Sequence, residues 1–96
     1  MQWFCVYGLD AEGAKEKREK YLDEHLAALK ILKDKDRLLA AGPLFADEQQ
    51  YCGSMLIVGF PDKKSAEAWF ADEPYYTAGV YRKVMIDFYY DAMPII

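Results

Sequence analysis

Three runs in this 96-residue chain, 3–7 (WFCVY), 55–58 (MLIV) and 84–90 (VMIDFYY), are apolar or aromatic at odd and even positions alike, with Asp87 the single exception. Side chains along a strand point to opposite faces of the sheet in turn, so a strand with one wet face reads as an alternation of apolar and polar residues. These runs do not alternate, and a sheet built from them must be covered on both sides. Helices of the same chain can cover one side. What covers the other is the question that most narrows the fold.

The first strand spans residues 2–8 and stops at Gly8. From Glu12 to about Asp34 the chain is rich in Lys, Glu, Ala and Leu, with no Pro and no Gly after Gly13, which predicts one long helix. Residues 37–45 (RLLAAGPLF) form a second strand, in which Gly42-Pro43 marks a bulge or bend near an edge, because proline has no N–H to give to a ladder. After the polar loop ADEQQ, residues 51–60 form a third strand, in a hairpin with the second. Pro61-Asp62 opens a shorter helix that carries Ala66, Trp69 and Phe70 at helical spacing and is stopped by Pro74. Residues 73–83 are a compact connector and 84–90 the last strand. The apolar tail DAMPII either ends disordered or packs across a partner.

The order β-α-β-β-α-β predicts an α+β, ferredoxin-like domain over residues 1–96: a four-stranded antiparallel sheet with both helices on one face. The second face is covered most economically by the same face of another copy, so a homodimer with stacked sheets is expected. A chain this short buries only roughly 60–70% of its unfolded surface by itself, which adds to the case for a partner subunit.

Charge and cysteine usage exclude several classes. The 16 acidic and 12 basic residues leave a net charge of −4, whose field opposes phosphate backbones and anionic lipid, so neither nucleic acid nor a membrane is an expected partner. RNA-recognition modules share this element order, but the third strand lacks their basic and aromatic signature. Cys5 and Cys52 have no C-x-x-C or metal-ligand spacing and are read as reduced structural thiols; no metal or other cofactor is expected. No run approaches the roughly 18 apolar residues of a membrane span, and Met1 leads directly into a strand, so the expected compartment is the cytoplasm.

Along the first helix, Leu22, Leu29 and Leu32 form a core stripe that Leu26 widens. The only histidine, His25, falls within that stripe. Arg18, seven residues earlier, returns to nearly the same azimuth after two turns, with Tyr21 between them. A buried imidazole needs a hydrogen bond and a buried guanidinium needs a counter-charge. Two readings follow. His25 is a satisfied core histidine while Arg18 snorkels to solvent, or helix and sheet leave a cleft in which Arg18 anchors an anion and His25 transfers protons. The second needs a carboxylate to orient the imidazole, from Asp10, Asp34 or the pair Asp72-Glu73. Nine helical residues place Asp34 about 13 Å from His25 and half a rotation away, so it is a poor partner. Asp72 and Glu73 follow the second helix, which packs beside the first, and a contact is permitted.

The segments EHLAAL, RLLAAGPLF, GSMLIV, AEAWFADEPYYTAGVY and VMIDF resemble the YciI-related family across nearly the whole chain. Its members are small ferredoxin-like proteins that pair into a dimeric α+β barrel, in the same superfamily as muconolactone isomerase. The family pattern of Arg then His on the first helix, Gly-Pro after the second strand, Gly-Ser on the third and Asp-Pro-Tyr/Phe before the last falls on Arg18, His25, Gly42-Pro43, Gly53-Ser54 and Glu73-Pro74-Tyr75. Asp10 matches an acidic position after the first strand. The resemblance implies a catalytic His25 and Glu73 in a substrate pocket with Arg18, Asp10, Asp72, Ser54 and Tyr75. Glu73 stands where the family has Asp, one methylene longer, so Glu73 serves, Asp72 substitutes, or the pair is not formed. Ser54 lacks a G-x-S-x-G setting, and a hydrolase triad is not expected. By analogy the resemblance implies cofactor-independent lyase or isomerase-type proton transfer on a small cyclic acid or phenol; the alternative is a dimer that binds or senses a small molecule without catalysis.

Overall fold

Strand β1 (Gln2–Asp10) runs through the middle of the sheet, antiparallel to β3 (Tyr51–Phe60) on one side and β4 (Tyr81–Phe88) on the other, with β2 (Leu38–Phe45) at the far edge beside β3. The resulting order, β2-β3-β1-β4, is that of a ferredoxin-like sheet. The computed structural model describes residues 1–92. Helices α1 (Ala14–Lys20) and α2 (Leu22–Asp34) follow β1, and α3 (Lys63–Ala71) and the single turn α4 (Pro74–Thr77) follow β3. None of the helices is long and apolar enough to cross a membrane.

Register explains the core. Phe4 lies opposite Val58 and Phe88, and Val6 opposite Leu56 and Ile86, so these side chains share one face. That face packs with Leu29 and Leu32 of α2 and Ala66 and Phe70 of α3 as a single cluster. Each such large apolar side chain, fully buried, contributes about 1.5–3 kcal/mol. The alternate positions, Trp3, Cys5 and Tyr7 on β1, Met55 and Ile57 on β3 and Met85 on β4, form the opposite face, where Asp87 lies across from Cys5. Burial, and then the Asp87 charge, push the Cys5 thiol up, which disfavours a reactive thiolate.

Several elements depart from the sequence reading, the first being β1, which runs past Gly8 to Asp10. The long helix is interrupted at Tyr21, whose backbone leaves the helical region (φ −107°, ψ 15°) although Tyr21 N–H still reaches Lys17 O and His25 N–H still reaches Tyr21 O, each at 3.0 Å. No proline or glycine marks this break. Leu22 and Leu26, expected in the core, are instead 44% and 51% exposed, because the inward side of the helix is occupied by His25 and Leu29. The connector contains α4, and β4 begins at Tyr81 and ends at Phe88, not 84–90. In β2 the register shifts fall between Leu38 and Ala40 and between Leu44 and Phe45, flanking Gly42-Pro43, and Pro43 sits on an edge strand where its missing N–H does no harm. The tail is described only through Ala92; whether it packs across a partner concerns residues 93–96, outside the described residues.

Asp62 caps α3, its Oδ1 accepting from Ser65 N–H at 2.7 Å. That backbone hydrogen bond, reinforced by the Ser65 side chain, holds the Asp62 carboxyl below its usual range. A lowered folded-state pKa stabilises the fold above the unfolded value and loses that contribution as pH falls through the folded one. Asp62→Ala is therefore expected to melt below the wild type at pH 7, with the gap in Tm closing as the pH falls below about 4; Asp62→Asn, which caps without charge, should retain most of the wild-type Tm at pH 7.

Candidate active site

Arg18, only 5% exposed, lies on the inward side of α1 above the ends of β1 and β3. Its Nε donates to Asp10 Oδ2 at 3.0 Å, and its Nη2 donates to Asp10 Oδ1 (2.7 Å), Gly53 O (2.7 Å) and Ser54 Oγ (2.8 Å). Arg18 does not snorkel to solvent; Asp10 supplies the counter-charge instead. Burial opposes the guanidinium charge, but the Asp10 hydrogen bonds and charge outweigh it and the net effect raises the pKa. The rings of Tyr51, Tyr75 and Tyr81 surround the guanidinium at 4.9, 5.4 and 5.9 Å from its carbon. Two glycines make this packing possible. A Cβ on Gly8 would stand 2.7 Å from the Tyr81 ring, and one on Gly53 would stand 2.3 Å from Gly8 O.

His25 lies further along the same side and is 8% exposed. Its Nδ1 hydrogen-bonds Glu73 Oε1, while Glu73 Oε2 accepts from the backbone N–H groups of Tyr75 (3.0 Å) and Tyr76 (3.3 Å). Glu73, 2% exposed, is thus both the N-cap of α4 and the partner of the imidazole. Tyr75 stacks flat on the His25 ring (centroids 3.8 Å apart, planes within 1°) and its hydroxyl donates to Arg18 O at 2.9 Å, which ties the Arg18–Asp10 and His25–Glu73 pairs together. Burial raises the Tyr75 phenol, with Arg18 opposing and Glu73 adding to the rise; burial pushes Tyr81 up to about 12, the neighbouring Ser54 hydroxyl offsetting part of it.

An ionised carboxylate only accepts, so against Glu73 the proton of a neutral His25 sits on Nδ1 and the lone pair on Nε2. Neither His25 Nε2 nor Arg18 Nη1 has a hydrogen-bond partner among the described residues, yet no buried side-chain nitrogen or oxygen among them lacks one. Both atoms are therefore accessible, and both residues line a cleft of about 190 Å³. Its walls are mostly apolar: Leu22, Leu26, Leu29, Pro43 and Leu56.

The four candidate carboxylates are separated cleanly. Glu73 holds His25 and Asp10 holds Arg18. Asp34 pairs with Lys30 at 2.9 Å on the exposed side of α2, and Asp72, the exposed C-cap of α3, stands apart from the cluster. Ser54 and Tyr75 are brought in. Tyr51 and Tyr81 were not foreseen; Tyr81 reaches Arg18 because Ala11 N–H bonds Val80 O at 2.7 Å and carries the start of β4 over the end of β1. No group of three or more His, Cys, Asp or Glu among the described residues is placed to hold a metal ion.

Fold and geometry together define a ferredoxin-like domain of the dimeric α+β barrel class, with a buried imidazole–carboxylate pair opening onto a small apolar cleft. Residues 1–87 match the YCII-related domain, and the chain belongs to that family. It is 36% identical over 89 residues to Protein YciI of Escherichia coli O6:H1, covering 86% of this chain and 91% of that protein. It is also 36% identical over 90 residues to an uncharacterized protein of Haemophilus influenzae, covering 88% of this chain and 92% of the other. Among solved structures, 5-chloro-2-hydroxyhydroquinone dehydrochlorinase (TftG) of Burkholderia phenoliruptrix AC1100, in complex with 2,5-dihydroxybenzoquinone, superposes with a TM-score of 0.78 at 23% identity, covering 88% of this chain and 90% of that one. That likeness is one of fold.

Proposed function

We propose that this protein is a cofactor-independent enzyme that moves a proton on a small ring compound, an acid or a phenol, in an elimination or isomerisation. The observation that carries the reading is the His25 imidazole, fixed at Nδ1 by buried Glu73 and open at Nε2 to the cleft. Nε2 takes a proton from the substrate, and the electron pair left behind forms a new double bond in the ring. In an elimination the leaving group departs with its own bonding pair; in an isomerisation the imidazolium returns the proton at another atom. Neither path changes the oxidation state of the protein. Glu73 orients the ring and stabilises the imidazolium, and Arg18 Nη1 donates to the oxygen on which negative charge develops. The dehydrochlorinase neighbour supports the reaction class by analogy at the level of fold only.

Chloride release and solvent-deuterium incorporation across a panel of halogenated and hydroxylated single-ring compounds test this reading. His25→Gln should lower kcat by about 10²–10⁴-fold, the usual contribution of a positioned acid–base group. An unchanged rate in that variant would refute the mechanism. Ligand recovered intact after prolonged incubation, with saturable binding, would favour a holding role instead.

The second part of the proposal is a homodimer through the helix-free face of the sheet. Trp3, Tyr7 and Met55 are half-buried and Met85 is exposed on this face, which they share with Ile57. Sedimentation of the wild type should give twice the chain mass, and Ile57→Asp, which puts a charge in that face, should give the mass of one chain. A wild type that sediments as a monomer refutes the pairing.

A further inference from the structure

We infer that two copies of this chain meet with their β4 strands antiparallel across a twofold axis, and that Asp87 of each pairs with Lys83 of the other. The pairing rests on the reading of the helix-free face as a dimer interface and adds the orientation of the two sheets. Register places alternate residues of each strand on that face. Among the described residues of the four strands, it carries two charged side chains, Lys83 and Asp87, both on β4 and separated by Met85. Each is exposed in the single chain, and neither belongs to an ion pair among the described residues. Covering the face takes a carboxylate and an ammonium out of water, which is costly unless each gains a counter-charge. Within one chain they cannot supply it to each other, since four strand residues at about 3.4 Å each hold them about 14 Å apart.

A second copy can. In a self-complementary interface, where one residue meets another, the second also meets the first. Rotation about an axis through Met85, lying between the sheets and perpendicular to the strands, reverses β4. It lays the partner subunit's Lys83 over Asp87 and the partner subunit's Asp87 over Lys83, so one stripe of positive, apolar and negative residues yields two ion pairs. Rotation about an axis parallel to the strands would instead lay β4 over the partner's β2, whose residues on this face, Ala40, Gly42 and Leu44, carry no charge and leave Asp87 stranded. The uncharged positions fit the first rotation as well. Tyr7 lies level with both Met55 and Met85, so that row meets its own copy, and Ile57, one step below it, comes opposite the partner subunit's Gly53, where no side chain competes for the space.

Sedimentation of the intact protein and two variants tests the pairing. Lys83→Glu makes the stripe wholly negative and Asp87→Lys makes it wholly positive. Each homodimer then holds two like-charge contacts in place of two ion pairs, and its Kd should rise about 100-fold or more. Because both side chains are exposed in the single chain, neither change disturbs its core. The two variants mixed one to one should dimerise within about tenfold of the wild type, since every contact is again between opposite charges; the double variant Lys83→Glu/Asp87→Lys should do so alone. A wild-type dimer that either single change leaves unmoved overturns the inference and leaves the dimer standing. Loss in both single variants without recovery in the mixture or the double variant does the same. A wild type that stays monomeric removes the dimer and this pairing with it.

Discussion

Arg18→Ala is expected to destabilise the protein by about 3–5 kcal/mol, the range for removing one member of a buried ion pair. The loss is not that of the arginine's own burial. Asp10, whose side chain is 9% exposed, would keep its charge without a partner, and Gly53 O and Ser54 Oγ would lose their donor. Against a total stability of roughly 5–15 kcal/mol for a domain of this size, that is a large fraction of what holds the fold together. In urea, Cm should fall with the slope m unchanged. Arg18→Lys should recover little, since an ammonium cannot serve Asp10 through two nitrogens while also reaching Gly53 O. The double variant Asp10→Leu/Arg18→Met should be far less destabilised than either charge-orphaning single change, because an apolar replacement of a buried pair leaves no stranded charge. Equal destabilisation in the double variant would show that packing of the long side chain, not charge matching, dominates at this site.

Glu73→Ala is the second large effect, about 2–4 kcal/mol, and it acts in two places. It strands the His25 Nδ1–H and it removes the cap of α4, whose first N–H groups both point at Glu73 Oε2. Glu73→Gln should cost much less, because an amide oxygen can still accept from His25 or the cap. The two variants separate structure from chemistry. Long-range proton–nitrogen NMR of neutral His25 should show the Nδ1–H form in the wild type and a mixture of tautomers in Glu73→Ala. A histidine that stays in one tautomer without Glu73 would mean that stacking on Tyr75 alone sets the ring.

The same residues show what periodicity can and cannot reach. Seven residues are two helical turns, and because the backbone hydrogen bonds continue through the break at Tyr21, Arg18 and His25 both stay on the inward side; nine residues exclude Asp34 on rise and rotation alone. Leu22 and Leu26 fitted the same stripe and yet rim the cleft, because His25, Leu29 and Leu32 take the inward side of α2. Asp72 and Glu73 are neighbours of like chemistry, and no spacing rule prefers one. The choice falls to Glu73 because it begins α4, where the one-turn helix aims its side chain inward at His25 while Asp72 ends α3 in solvent.

By itself, then, the sequence determined the element order and the placement of one cation and one imidazole on a buried stripe, both of which follow from side-chain periods of two and 3.6 residues. Tertiary structure alone decided which acid meets which base: Asp10 across eight residues for Arg18, Glu73 across forty-eight for His25. It also set which nitrogens remain open. The physical reason is that ion pairing depends on ångström distances between side-chain tips, and those are set by strand register, the pitch of a kinked helix and the close approach at Gly8 and Gly53, none of which is written in any local run of residues.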